Sequence, residues 1–171
     1  MAAMTPPEDG PGGVAPTGVA AIVEFLEREG IAYELVEHAR VMSAAAEARA
    51  TDRPQQQVAK TVVVHDRGAY MITAVPADHR LDLHKLRELL GATRELRLAS
   101  EQEIAQDFPS LEVGAVPPFG PMVPAATVID KRLLDQERIL CPAGDHSHSV
   151  LVDPRDIVRA TQARSADICE D

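Results

Sequence analysis

Residues 58–76, VAKTVVVHDRGAYMITAVP, constrain the fold of this chain more than any other stretch. Two runs rich in β-branched residues flank Asp66-Arg67-Gly68. Such runs form strands, and a short glycine-containing turn between them closes a hairpin. With both arms this apolar, the hairpin belongs at the centre of a sheet that the rest of the chain must build around.

The remaining segments supply that sheet and its helices. Val19, Ile22, Val23 and Leu26 recur at helical spacing between Thr17, a suitable N-cap, and the stop at Gly30. YELVE, Tyr33 to Glu37, alternates as a strand does, and Ser43 opens the alanine-rich helix SAAAEARA. After the hairpin, Leu83, Leu86, Leu89 and Leu90 share one face of a helix ended by Gly91, and RELRLAS forms a short strand. Ser100 and Glu103 have capping-box spacing and open a short helix to about Asp107. MVPAATVID, ERILCP and HSVLV are three more strands, and Asp153-Pro154 begins a last helix as N-cap and first-turn proline. Strands joined by turns, with helices grouped between them, predict an α+β single domain. Its sheet is mixed, mostly antiparallel, with about seven strands, flanked by helices.

The expected organisation is a flexible Pro/Gly-rich leader over residues 1–16, the domain itself over 17–161, and a polar C-terminal tail over 162–171. At 171 residues one core fits and two would be cramped. Aromatics are 3% of the chain and tryptophan is absent, which argues against base-stacking platforms for single-stranded nucleic acid. A net charge of −10 argues against nonspecific coating of nucleic acid, which needs a surplus of Lys and Arg. A local basic window remains, containing Arg80, Lys85, Arg87, Arg94 and Arg97. It is either an ordinary charged helix face or a contact for an acidic partner. Two cysteines without framework spacing fit reduced thiols and a cytoplasmic protein, and no stretch approaches the ~20 apolar residues of a membrane span.

Few residues offer chemistry. Lys60 opens the strand VAKTVVV and shares a face with Val58, Val62 and Val64. Its ammonium either snorkels from the sheet edge into water or stands as an anchored cation at a pocket rim, able to neutralise phosphate or polarise a carbonyl. Cys141, Asp145, His146 and His148 are the only cluster of metal-ligand types, at a spacing that matches no familiar zinc site. Both metal ligation and hydrogen-bonded loop histidines remain open there. No nucleophile elbow, dinucleotide fingerprint or phosphate loop occurs, so an enzyme built on this chain is expected to work without covalent intermediate, cofactor or metal. In GAVPPFG, Gly114 to Gly120, two prolines between glycines form a stiff turn, because each proline fixes φ and removes an N–H donor.

VAKTVVV, AVPADHRLDLHKL, ELLG, the SEQEI helix, GAVPPFG, VIDK and AGDHSHS, in this order over about Thr17 to Ala160, resemble the YbaK/EbsC family. These are aminoacyl-tRNA deacylase domains related to the editing insertion of bacterial prolyl-tRNA synthetase. The most specific parts are the lysine opening KTVVV and the G-x-V-x-P-F-G loop. The resemblance implies metal-free hydrolysis of the ester between a wrong amino acid and the terminal adenosine of a mischarged tRNA, usually tRNA(Pro). Lys60 falls on the essential lysine, and Gly114 and Pro118 on the glycine and proline of the active-site loop, with Phe119 in the same loop expected against substrate. Gly144 matches the glycine-rich turn, and His148 the specificity histidine beyond it once that turn is shortened. Pro117 stands where family members often carry serine. Arg80 and Lys85 are the expected tRNA contacts, and an acidic free-standing domain of this kind is expected to draw on a synthetase or elongation-factor partner. The competing expectation is a noncatalytic aminoacyl-tRNA or synthetase-binding module of the same fold.

Overall fold

The computed structural model describes residues 18–119 and 125–171. The leader, the Thr17 cap, Gly120 and the Met122–Pro124 start of one expected strand lie outside the described residues. In chain order the elements are α1 (Gly18–Arg28), β1 (Tyr33–Glu37), α2 (Ala44–Ala50), a 3-10 turn (Gln55–Gln57), β2 (Ala59–Asp66), β3 (Ala69–Pro76), α3 (Leu83–Leu90), β4 (Arg97–Leu98) and α4 (Glu101–Asp107). There follow β5 (Ala126–Asp130), α5 (Lys131–Leu134), β6 (Ile139–Pro142), β7 (His148–Val152), α6 (Pro154–Thr161) and β8 (Arg164–Ala166).

The hairpin forms as expected. β2 and β3 pair antiparallel from Ala59 opposite Pro76 to Asp66 opposite Ala69, and Arg67 and Gly68 both take positive φ, 52° and 85°. Two consecutive positive φ values match the twist of the flanking strands. The strands divide between two sheets where one was expected. A five-stranded sheet runs β4-β2-β3-β5-β8 and a three-stranded sheet β1-β7-β6. The pairings β3–β5 and β5–β8 are parallel and the others antiparallel, and a bridge from Val58 to Leu140 joins the sheets. The fold is thus the mixed α+β class read from the sequence, with eight strands among the described residues.

The helix signals act locally. Ser43 Oγ accepts the Ala46 N–H, Asp82 caps α3 at the N–H groups of His84 and Lys85, Gly91 ends that helix in the left-handed region, and the Ser100–Glu103 capping box closes from both sides. Asp153 caps α6 with Pro154 in the first turn. The main core lies between the sheets and α1, where Ile22, Phe25 and Leu26 meet Ile72, Ile129 and Val150.

The C-terminal segment departs from the expected polar tail. β8 adds a parallel strand beside β5, Ile168 and Cys169 are fully buried, and Leu81 bridges to Cys169. The physical reason is Asp130, whose buried carboxylate needs donors and takes the Ile168 N–H at 2.9 Å and Arg132 at 3.1 Å. Arg132 also holds Asp167 at 2.9 Å, so the segment is fastened on both flanks of its apolar pair.

Candidate active site

Where β2 leaves the bridge between the sheets, Lys60 reaches a small cavity of about 50 Å³ whose opposite walls are the 114–115 loop, the β6–β7 turn and the start of α2. Opposite Val75 in the hairpin register, Lys60 is half-buried and makes no hydrogen bond or ion pair among the described residues. Desolvation lowers its pKa, and repulsion by Arg80 adds to this. The acidic groups of Asp78 and Glu170 pull the other way without restoring the ordinary value. An ammonium without a partner at a cavity rim can meet an electron-rich group of a ligand.

Gly114 faces Lys60's cavity for a steric reason. Its φ is +89°, and a Cβ there would stand 3.2 Å from His146 Cε1. His146, 6% exposed, donates from Nε2 to the Val113 carbonyl at 2.8 Å, while its own N–H goes to Glu112 Oε1 at 2.9 Å. Glu112 in turn takes Arg40 at 3.2 Å. The loop is therefore held from beneath by a histidine committed to structure. His148 also lines the cavity, its Nδ1 2.9 Å from Asp145 Oδ1. Against the desolvation that would raise it, that hydrogen bond and the Ser147 N–H hold the Asp145 carboxyl below the usual carboxylate range. No group of three or more His, Cys, Asp or Glu is placed to hold a metal among the described residues. Burial pushes the Cys141 thiol well above its ordinary value, leaving it neutral and unreactive.

Three expected contacts do not line the cavity. Phe119 is fully buried and stacks on Phe25 with centroids 5.5 Å apart, and Pro118 is buried beside it. Their apolar surface is worth more in the core than on a pocket wall, so they anchor the loop that presents Gly114. Gly144 is buried as well, its N–H bonded to the Ala115 carbonyl and its carbonyl taking the Glu112 N–H. It fastens the two loops to each other. Arg80 is exposed and lies with Lys60 and Glu170 along a neighbouring hollow. Lys85 is engaged with the C-terminal segment, donating to the Cys169 carbonyl at 2.7 Å and pairing with Asp171 at 3.0 Å and Asp167 at 3.2 Å.

The sequence did not single out His38, Glu47 and Ser149, which line the same cavity. Glu47 is 6% exposed and Ser149 fully buried, and the Ser149 hydroxyl is hydrogen-bonded to Glu47 Oε2. His38 Nε2 lies 2.8 Å from Ser149 Oγ, and His38 Nδ1 donates to the Ala39 carbonyl at 2.8 Å. Burial raises the Glu47 pKa, opposed by the Ser149 hydrogen bond and by His38. The available signal was a carboxylate inside an alanine run.

The chain matches the model of the aminoacyl-tRNA editing domain over residues 38–160. No curated protein matches it significantly. Among solved structures it is similar to hypothetical protein APE2540, at 27% identity and a TM-score of 0.80 over 88% of this chain and 99% of that one. It is also similar to a candidate trans-editing enzyme for prolyl tRNA synthetase, at 25% identity and a TM-score of 0.79 over 90% and 97%. Lys60 and Gly114 meet across one cavity inside the matched span, and that span takes in most of the sequence: the chain belongs to the aminoacyl-tRNA editing domain family.

Proposed function

We propose that this domain is a trans-editing deacylase, which hydrolyses the ester of a tRNA, tRNA(Pro) or a related species, carrying a small wrong amino acid. The observation that carries it is the Lys60 ammonium, unpaired among the described residues, facing the Gly114 loop across a cavity that admits only a small group. The aminoacyl group enters the cavity and the terminal adenosine stays outside, toward the hollow shared by Lys60 and Arg80. Water, or the neighbouring ribose hydroxyl followed by water, adds to the carbonyl carbon. The bond to the ribose oxygen breaks and that oxygen takes up the proton. Lys60 stabilises the negative charge that develops on the carbonyl oxygen, so positioning and electrostatics supply most of the rate. Hydrolysis after charging makes sense because an apolar pocket separates groups differing by one methylene by only ~1–3 kcal/mol.

A second reading, a binding module without turnover, is favoured by the net charge of −10 and by the engagement of Lys85 with acidic residues, which leave little free basic surface for tRNA. Incubating the protein with a panel of mischarged tRNAs separates the two. Deacylation of at least one species above its uncatalysed rate is expected, whereas binding without turnover on every species establishes the module. Exhaustive chelation is expected to leave the deacylation rate unchanged, and its loss with recovery on adding a divalent metal would overturn the metal-free mechanism.

The position of Lys60 also predicts a pH dependence. Its folded pKa lies below the ordinary 10.5, so the ammonium is present at low pH and is lost earlier on the alkaline side than a free lysine's. Affinity for a nonhydrolysable 3′-aminoacylamido-adenosine is therefore expected to fall with rising pH through a midpoint below that of free lysine. A flat affinity across that range would show that Lys60 does not contact the ligand.

A further inference from the structure

The buried carboxylate at the back of the cavity has a partner for one oxygen only. Ser149 occupies Glu47 Oε2, and Oε1 makes no hydrogen bond among the described residues, although it is not among the buried polar atoms sealed away from solvent. Since Glu47 lines the cavity, that oxygen is available to a ligand inside it.

The proton inventory fixes what Oε1 offers. Ser149 has one hydroxyl hydrogen between two neighbours. When it points to Glu47 and the carboxylate is ionised, His38 donates from both ring nitrogens and Oε1 is a bare acceptor. When it points to His38 Nε2, Glu47 carries the proton on Oε2 and donates it to Ser149 Oγ, and Oε1 is again an acceptor. When Ser149 donates to Oε2 and the acid proton sits on Oε1, that oxygen is a donor. A hydroxyl group, donor and acceptor at once, answers all three. A purely aliphatic side chain would leave Oε1 unpaired away from water, at a cost that a hydroxyl removes.

We propose that Glu47 is a specificity-determining residue whose free oxygen hydrogen-bonds to a side-chain hydroxyl of the aminoacyl group, so that the substrates of this site are β-hydroxy amino acid esters, seryl and then threonyl, ahead of alanyl. The proposal rests on the editing function proposed above. The partner is a neutral hydroxyl rather than the α-ammonium because Lys60 already brings a cation to the same cavity, and burial disfavours the fully ionised carboxylate that a second cation would need. Ser149 and His38 act as positioning residues that hold Glu47 in place.

The test compares single-turnover deacylation of seryl-tRNA and alanyl-tRNA sharing one tRNA body, by the full chain. Seryl is expected to be cleared faster by about tenfold or more, since sites built around a hydroxyl reject analogues lacking it. Glu47→Leu, of similar size, is expected to bring that ratio to about one, which a merely structural role for Glu47 would not do. Alanyl cleared as fast as seryl by the wild type, or an unchanged ratio in Glu47→Leu, overturns the proposal. If no ester is cleared at all, the editing function fails, and calorimetric binding of 3′-serylamido- against 3′-alanylamido-adenosine to the wild type decides the selector by itself. Tighter binding of the serine analogue sustains it, and equal binding removes it. The same binding measurement serves if Glu47→Leu does not fold.

Discussion

Replacing Lys60 with alanine leaves a folded protein that has lost deacylation by a factor on the order of 10² to 10³, the size of effect seen when one preorganised contact to a developing oxyanion is removed. The two halves of this expectation have separate physical causes. Lys60 makes no hydrogen bond or ion pair among the described residues, and its surroundings disfavour the charge. Its removal therefore breaks no side-chain hydrogen bond or ion pair among the described residues and should shift stability by only ~0.5 kcal/mol, as ordinary partly exposed substitutions do. In the mechanism proposed above, the rate depends on that charge standing where the ester carbonyl will be. Lys60→Arg should restore little, because a planar guanidinium carries its charge in a different shape and holds its proton throughout the accessible pH range. Single-turnover hydrolysis of the best mischarged substrate, with circular dichroism on each variant, is the measurement. If Lys60→Ala keeps more than about a third of the wild-type rate, far above what loss of such a contact permits, the lysine only covers the sheet edge and the mechanism is wrong.

Lys60 also marks what a sequence can show. Its place at the start of a β-branched run is local information, as are the Arg67-Gly68 turn, the Ser100–Glu103 box and the Asp153-Pro154 cap, and the structure has all of them. Each depends on residues within a few positions of one another. β8 was not legible, because Arg-Ser-Ala has no strand preference and becomes a strand only beside Val128 to Asp130 of β5. The four-residue α5 is too short for a periodic pattern. The division into two sheets was hidden for a related reason: strand patterns give faces but not partners, and among the described residues the backbone link between the sheets is the bridge from Val58 to Leu140. Within the loop GAVPPFG, Gly114 lines the cavity. Phe119, expected against substrate, has its surface claimed by Phe25, 94 positions earlier in the chain. His38, Glu47 and Ser149 illustrate the limit most clearly. Ser149 joins partners 102 and 111 positions away, and no local spacing announces such a contact.

Gly144→Ala is expected to be the most damaging glycine substitution in the site region, and its cost should exceed that of Gly30→Ala by a margin that measures packing alone. Both glycines have positive φ, +96° and +68°, where a side chain is strained. A Cβ on Gly30 meets nothing within 4 Å, so that variant carries the backbone strain alone, about 1–2 kcal/mol. A Cβ on Gly144 would stand 2.9 Å from the Gly18 carbonyl carbon and 3.1 Å from both its Cα and Ile22 Cδ1. The first two of those atoms are backbone of α1 and cannot turn aside. Either α1 moves off the turn or the turn moves, and the turn carries the hydrogen bonds to Glu112 and Ala115 that hold the Gly114 loop. Strain and overpacking together should cost about 2–4 kcal/mol. In a chain of this length that lowers the melting temperature by about 5–15 °C, against about 2–6 °C for Gly30→Ala. Deacylation by Gly144→Ala, measured well below its melting temperature, should fall by about tenfold or more, because a loop displaced by a fraction of an ångström no longer aligns the ester with Lys60. Gly30→Ala should keep the wild-type rate under the same conditions. Equal melting temperatures for the two variants would mean that the turn has room for a methyl group and that α1 does not set the position of the site.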